Sequence, residues 1–260
     1  MRILAQSHAR QSLKQLGLIP IHRKVLRRTL ERSSGLILIT GPTGSGKTTT
    51  AYQILRSLEY EKRSIVSIED PVEYSMEGIT QIEVNELTGL TFATGLRSIL
   101  RQDPDILLVG EIRDSETARL AVTAALTGHL VIATLHTDSA LSAIPRLTDL
   151  SVEPYLIAAT LKLVIAQRLI RMRCGSCGQT DKPEVICTTC KDTRYAGRMG
   201  VFELLQVDEI IRTAIDATPN IETLREAARI CGMRTLRQDA EEKARRGAID
   251  PAMVQALDYE

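Results

Sequence analysis

Between about residues 36 and 172, short apolar runs alternate with stretches of helical length. Runs at 36–39, 65–68, 106–109 and 130–135 are nearly continuous in Leu, Ile and Val. Such runs, lacking polar alternation, predict strands buried on both faces, the pattern of a mostly parallel sheet whose crossovers are helices. The intervening stretches predict helices at about 47–59, 92–102, 115–127 and 140–149, with a further helix at about 154–172. Upstream, Leu13, Leu16, Ile21, Val25, Leu26 and Leu30 recur at helical spacing among basic residues within 5–32, which predicts a pair of leading helices with a solvated basic face. From 173 to 200 periodicity gives way to Cys, Gly, Thr, Lys and Arg; helical spacing returns at about 208–216, 221–231 and 236–246. The expected fold class is α/β, a doubly wound sheet over 35–172, a small cysteine module over 173–200, and a return strand with C-terminal helices over 201–260.

Charge narrows the function classes. The chain carries 33 Lys+Arg against 32 Asp+Glu, so no global field holds nucleic acid or an anionic membrane, and either partner would need a local patch. Aromatic residues make up 3% with no Trp, which removes the usual platform for stacking bases. No apolar run approaches the roughly 18 residues of a membrane span. The opening Met1-Arg2-Ile3-Leu4-Ala5-Gln6 turns polar too soon for a secretory signal. A soluble intracellular protein without a nucleic-acid partner is expected.

Gly41-Pro42-Thr43-Gly44-Ser45-Gly46-Lys47-Thr48 fits G-x-x-x-x-G-K-[ST] in full, between an apolar run and a helical pattern. Glycines let backbone N–H groups turn toward phosphates, and the helix start adds positive potential. Lys47 would reach the β/γ-phosphates and Thr48 would ligate Mg²⁺, with residues 41–48 and Thr49 forming the cradle for ATP. Hydrolysis also needs carboxylates that organise water and metal. Ile106-Leu107-Leu108-Val109-Gly110-Glu111 offers Glu111 at a strand tip, where open α/β sheets bind ligands, although Gly110 intervenes and the acid is not the usual Asp. Ile68-Glu69-Asp70-Pro71-Val72-Glu73 places three carboxylates at another strand end. Spacing alone leaves them as either a water- and metal-organising cluster or a charged turn. His129 and His136 bracket the run 130–135, as structural residues or as phosphate sensors.

Of the five cysteines, Cys174, Cys177, Cys187 and Cys190 lie within seventeen residues as two C-x-x-C pairs. Two knuckles of thiolates suit tetrahedral Zn²⁺, and redox pairing is the competing reading, disfavoured in a reducing compartment. Cys231 is expected in the core.

In their order, the P-loop, the acidic box from Ile68 to Tyr74, the strand-tip acid and the histidine box resemble the secretion ATPases of type II secretion and type IV pilus assembly. So does the long stretch Gly89-Leu90-Thr91-Phe92-Ala93-Thr94-Gly95-Leu96-Arg97-Ser98-Ile99-Leu100-Arg101-Gln102-Asp103-Pro104-Asp105 that leads into Val109-Gly110-Glu111-Ile112-Arg113-Asp114. The resemblance runs from about Leu13 to Leu257. It implies a RecA-like P-loop ATPase that works as a homo-oligomer, a hexameric ring when complete, on the cytoplasmic face of the inner membrane. There it would meet an inner-membrane platform protein and touch the membrane only through partners. It further implies that Glu73 and Glu111 act on water and Mg²⁺, that His129 and His136 sense the γ-phosphate, and that Arg97 and Arg101 lie near the nucleotide and the neighbouring domain. The tetracysteine element resembles the assembly and export branch more than the retraction motors. By the same resemblance a folded domain precedes the ATPase, of which 1–34 would hold the last residues, near Arg2-Ile3-Leu4, and linker helices. The rival readings are an ATP-binding scaffold subunit with little turnover and, with less support, a motor on nucleic acid.

Overall fold

The computed structural model describes residues 12–58, 61–177, 187–191, 193–217 and 220–257. In chain order the elements are α1 (Pro20–Leu30), β1 (Gly35–Thr40), α2 (Lys47–Arg56), β2 (Ile65–Glu69), β3 (Thr80–Glu83), α3 (Phe92–Leu100), β4 (Ile106–Val109), α4 (Ser115–Leu126), β5 (Leu130–Leu135), α5 (Ala143–Asp149), α6 (Pro154–Thr160), β6 (Leu161–Arg173), β7 (Tyr195–Gln206), α7 (Glu209–Ala217), α8 (Ile221–Ile230), α9 (Leu236–Arg245) and α10 (Pro251–Ala256). The strands form one seven-stranded sheet ordered β3-β2-β4-β5-β1-β6-β7. Every neighbouring pair is parallel except β6 with β7.

The continuous apolar runs have the physical meaning expected of them. In β1, Leu36 and Leu38 face one core with Leu107, Val109 and Val131, while Ile37 and Ile39 face a second core with Tyr52, Ile54 and Leu26. Helices cover both faces, so neither side of the strand can be polar. Local chemistry fixes where several helices start. Asp114 caps α4 by accepting from the Thr117 N–H at 2.8 Å, and a reciprocal Thr91/Thr94 box opens α3. Proline occupies the first turn of α1, α6 and α10.

Two expectations need correction. The single helix at 154–172 is a short helix, α6, followed by the thirteen-residue strand β6. Its apolar run suits a buried helix or a buried strand equally, and the free edges of β1 and β7 decide the matter by pairing with it on both sides. The pair of leading helices is, among the described residues, the one helix α1 preceded by turns over 13–17; residues 1–11, with the segment near Arg2-Ile3-Leu4, lie outside the described residues. The edge strand β3 and the helix α10 carry no periodicity long enough to announce them. Among the described residues no helix is long and apolar enough to cross a membrane.

The C-terminal helices join the sheet through buried polar contacts as well as apolar ones. Asp239 of α9, fully buried, accepts from the Phe202 N–H at 2.8 Å and from Lys243 Nζ at 2.5 Å; Lys243 also donates to the Gly200 carbonyl at 2.7 Å. His22 of α1 is 4% exposed beside this pair. Burial pushes its pKa down to about 4, with Asp239 opposing and Lys243 and Arg234 adding to the fall. The folded state therefore holds neutral imidazole where the unfolded chain would protonate near pH 6.5. Stability gained above pH 6.5 is lost as pH falls from there toward 4. Between pH 7 and pH 5 this one group should remove about 2 kcal/mol of folding free energy. Urea unfolding of the parent and of His22→Gln at both pH values checks this, and a parent whose stability falls no faster than the variant's contradicts it.

Candidate functional site

Because β1, β2, β4 and β5 run parallel and level, with Thr40 opposite Leu135 and Ile68 opposite Val109, the segments that leave them emerge at one edge of the sheet. The loop after β1 turns through Gly41 at φ +148° and ends on Gly46 at φ +89°, which precedes α2. A Cβ at Gly41 would lie 2.4 Å from the Gln167 carbonyl and 2.6 Å from Ser45 Oγ, so only glycine lets the loop close this tightly. No side chain caps α2, which leaves its first-turn N–H groups directed into the loop as an anion-binding helix start. Ser45 Oγ is buried without a hydrogen-bond partner among the described residues. Thr43, Gly44 and Thr48 are exposed, while Pro42 and Thr49 are half-buried. The loop thus combines a tight glycine turn, an uncapped helix start and an orphaned buried hydroxyl behind an exposed rim, and it fits a polyphosphate.

Lys47 is 8% exposed and donates to the Gly41 carbonyl at 2.8 Å and the Pro42 carbonyl at 3.0 Å. Burial lowers its pKa, Glu111 opposes that, and Arg168 adds to it. The Lys47 ammonium also lies 3.4 Å from His136 Nδ1, and His136 Nε2 lies 2.7 Å from Glu111 Oε1. An ammonium can only donate, so Nδ1 accepts and the imidazole proton sits on Nε2, facing Glu111. Arg113 Nε donates to the other Glu111 oxygen at 2.7 Å, and its Nη1 reaches Asp70 at 3.4 Å. The P-loop lysine and the strand-tip acid are therefore joined through one imidazole. Gly110 makes the approach feasible: a Cβ there would stand 3.1 Å from both Glu69 Cα and the Ile68 carbonyl, so a side chain would press the tip of β4 off β2.

The acidic box does not act as one cluster. Glu69 points inward, 3% exposed, and accepts from the Tyr52 hydroxyl, from Ser67 Oγ at 2.6 Å and from Gln81 Nε2 at 3.3 Å. Burial first, and the bond to Glu69 second, push the Tyr52 phenol pKa well up, so it remains a donor. Asp70 belongs to the Arg113 pair. Glu73 is half-buried; its N–H donates to the Tyr52 oxygen at 3.3 Å, and its carboxylate makes no hydrogen bond or ion pair among the described residues.

His129 is a correction. It precedes β5, whose first residue pairs with the first residue of β1, so it sits at the opposite edge of the sheet from His136, about 20 Å away along a six-residue strand. Its Nδ1 lies 3.1 Å from the Ala124 carbonyl and its Nε2 lies 3.8 Å from Asp103, where it closes the end of α4. It cannot sense a phosphate held by this chain's loop. Arg97 and Arg101 are also not in contact with the loop: Arg97 pairs with Glu116 in the first turn of α4, and Arg101 Nη2 lies 3.2 Å from Ser98 Oγ. Both are exposed. Sequence reasoning missed Gln167 and Arg168, buried on β6 beside the loop, because that segment was expected to be helical.

The four paired cysteines gather at the tip of the β6–β7 hairpin, with their sulfurs all within 4.8 Å of one another. Cys174 and Cys187 sulfurs are 3.9 Å apart and those of Cys177 and Cys190 are 3.2 Å apart. Four sulfurs around Zn²⁺ at about 2.3 Å stand roughly 3.8 Å from each other, so the set fits. Backbone N–H groups of Ser176 and Cys177 lower the Cys174 pKa, and those of Cys190 and Thr189 bring Cys187 to about 6. The bond shared with Cys190 and burial push Cys177 up instead. The clip is tied to the chain end by Arg173, whose N–H donates to the Ala248 carbonyl at 3.1 Å and whose guanidinium meets Asp250 at 3.3 Å. Cys231, by contrast with expectation, is exposed at the end of α8; partial desolvation of its thiol and a bond to Asp208 raise its pKa to about 11.

An anion-binding loop on this sheet order belongs to the P-loop proteins of RecA-like fold, and the chain is one of them. Residues 1–256 match the family described as Type II/IV secretion system protein, and the chain belongs to that family. It is 48% identical over 244 residues to the type II secretion system protein HxcR of Pseudomonas aeruginosa, covering 93% of this chain and 52% of HxcR. With the type IV pilus assembly ATPase PilB of Thermus thermophilus it shares 44% identity over 269 residues, covering 95% of this chain and 30% of PilB. The crystal structure of the pilus retraction motor PilT with bound ADP matches at a TM-score of 0.77 and 34% identity, covering 95% of this chain and 66% of PilT. The chain spans about half the length of its type II secretion relatives.

Elemental analysis of protein purified under reducing conditions without chelator should find about one zinc per chain, falling to background in Cys177→Ser. Chelation should speed amide exchange in 173–177 and 193–200 before it affects the P-loop, because structural zinc binding is local folding energy. Metal-free protein from such a preparation contradicts the assignment.

Proposed function

We propose that the chain carries out Mg²⁺-dependent ATP hydrolysis that powers assembly of a pilus or pseudopilus, or protein export, in a type II secretion or type IV pilus machine. The observation that carries this reading is the contact of Lys47, the loop's buried ammonium, with Glu111 through His136. The loop N–H groups and Lys47 would hold the β- and γ-phosphates, and Thr48, exposed in the first turn of α2, would ligate Mg²⁺, which neutralises phosphate charge when bound. Glu111 would orient and deprotonate the attacking water, with His136 reporting whether a γ-phosphate occupies the loop. Glu73, with its carboxylate uncommitted, is the second acid of this reading. Arg97 and Arg101, exposed on the flank of α3, would serve a neighbouring copy in a hexameric ring. The relatives named for secretion and pilus assembly, and the ADP held by PilT, support the substrate and the machine. The tetracysteine clip favours assembly or export over retraction. The same reading puts the protein at the cytoplasmic face of the inner membrane, held there by a platform protein.

Steady-state turnover of ATP with Mg²⁺ tests this. Lys47→Ala should abolish nucleotide binding. Glu111→Gln should bind ATP within a few-fold of the parent and lose at least about 100-fold in kcat, the scale of a missing general base. A parent that binds ATP without turning it over would instead be a scaffold subunit. A Glu111→Gln variant as active as the parent overturns the assignment of the acid.

A further inference from the structure

Gln167 of β6 is 2% exposed and lies behind the P-loop, on the sheet face where Leu163 and Ile165 join the core under α1 and α2. Its Nε2 donates to the Ser45 carbonyl at 2.7 Å, and its Oε1 accepts from Thr50 Oγ1 at 2.6 Å. Ser45 is 4% exposed and Thr50 is fully buried. A carbonyl can only accept, so the amide nitrogen must face Ser45 and the amide oxygen is left for the Thr50 hydroxyl. The orientation is thereby fixed. The approach is close: a Cβ at Gly46 would stand 2.8 Å from Gln167 Nε2, and one at Gly41 would stand 2.4 Å from the Gln167 carbonyl. The next residue, Arg168, faces the other side of the sheet and donates to the Asp138 carbonyl at 3.0 Å and carboxylate at 3.3 Å, two residues beyond His136.

We propose that Gln167 is a positioning residue for nucleotide binding, an inference that rests on the reading of the loop as an ATP site. In a trans peptide the C=O and the following N–H point in opposite directions. Drawing the Ser45 carbonyl backward onto Gln167 therefore turns the Gly46 N–H forward, into the concave side of the loop, where a phosphate oxygen would accept from it. An apolar side chain of the same length would fill the space but leave that peptide free to rotate. It would also leave the Ser45 carbonyl buried and unpaired. Arg168 extends the brace to the segment carrying His136, so two consecutive residues of one strand hold both walls of the site.

Titration of the full chain with a fluorescent ATP analogue and Mg²⁺, from about pH 8.5 to about pH 6.0, tests this alongside thermal unfolding. Gln167→Met conserves volume and should weaken ATP binding about tenfold, equally at all pH values, the scale of leaving one buried carbonyl unpaired. Gln167→Glu should weaken it at least as much at high pH, where a carboxylate has no proton to give Ser45. Its affinity should recover toward the parent's as pH falls, because the protonated acid reproduces the amide's one donor and one acceptor. Burial raises the pKa of such a carboxyl into this range. A packing role alone would show no such recovery by the acid and none is expected for Gln167→Met. A Gln167→Met variant that binds like the parent, or a folded Gln167→Glu variant with no pH dependence beyond the parent's, overturns the inference; should Gln167→Glu fail to fold, Gln167→Met decides it. A parent that shows no Lys47-dependent ATP binding overturns the nucleotide reading itself, and the proposal with it.

Discussion

Level termination of parallel strands is the constraint on which the rest of this protein depends. Thr40 and Leu135 end β1 and β5 side by side, and Val109, the last residue of β4, is paired with Ile68 on one side and Ala133 on the other, while β6 runs on past Ala166, the partner of Thr40. The segments leaving these strand ends therefore enter the same small volume. A slip of one residue in any pair would turn core side chains to the wrong face, so the two apolar cores that enforce register also fix the spacing of Lys47, Glu111 and His136. Packing energy in the cores and geometry at the site have one cause.

Within that volume charge is arranged in alternation. An ammonium, an imidazole, a carboxylate, a guanidinium and a second carboxylate succeed one another from Lys47 through His136, Glu111 and Arg113 to Asp70. Lys47 and Glu111 are shielded, with Lys47 8% exposed, whereas His136 and the Arg113 end face water, so the contacts there contribute less. An arriving polyphosphate would compete with the Gly41 and Pro42 carbonyls for Lys47, and release of the lysine from them would alter what His136 meets. In the reading proposed above, phosphate binding would reach Glu111 through that single ring.

The β6–β7 hairpin ties the loops, the cysteine cluster and the C-terminal helices to one another. The middle of β6 carries Gln167 and Arg168 against the loops, the hairpin tip carries the cysteine clip, and the outer strand receives α9 through Glu203 and Phe202. Glu203 is buried and its pKa is raised by that burial, while the N–H groups of Ala140 and Leu236 and the charge of Arg168 work against the rise. The C-terminal helices are thus pinned to the strand that pairs with the one bracing the P-loop.

Local chemistry determined much of this in advance. The continuous apolar runs specified β1, β2, β4 and β5 because a strand covered by helices on both faces has nowhere to place polar residues. The glycine pattern specified the loop, since no other residue tolerates the approach at Gly41. The C-x-x-C pairs announced through their spacing that four thiols would gather locally. Features that depend on partners far along the chain stayed hidden. Residues 161–173 satisfy a helix and a strand equally until β1 and β7 offer their edges. The equivalence of His129 and His136 in sequence ends once the strand between them sets the two at opposite edges. Glu69, Asp70 and Glu73 look alike in a row, and only the tertiary structure separates them, by supplying Tyr52 and Ser67 to the first, Arg113 to the second, and no carboxylate partner among the described residues to the third. Gln167 reads as an ordinary polar residue until the loop closes on it, because a residue's role there is set by the backbone it meets, and that backbone lies more than a hundred positions away.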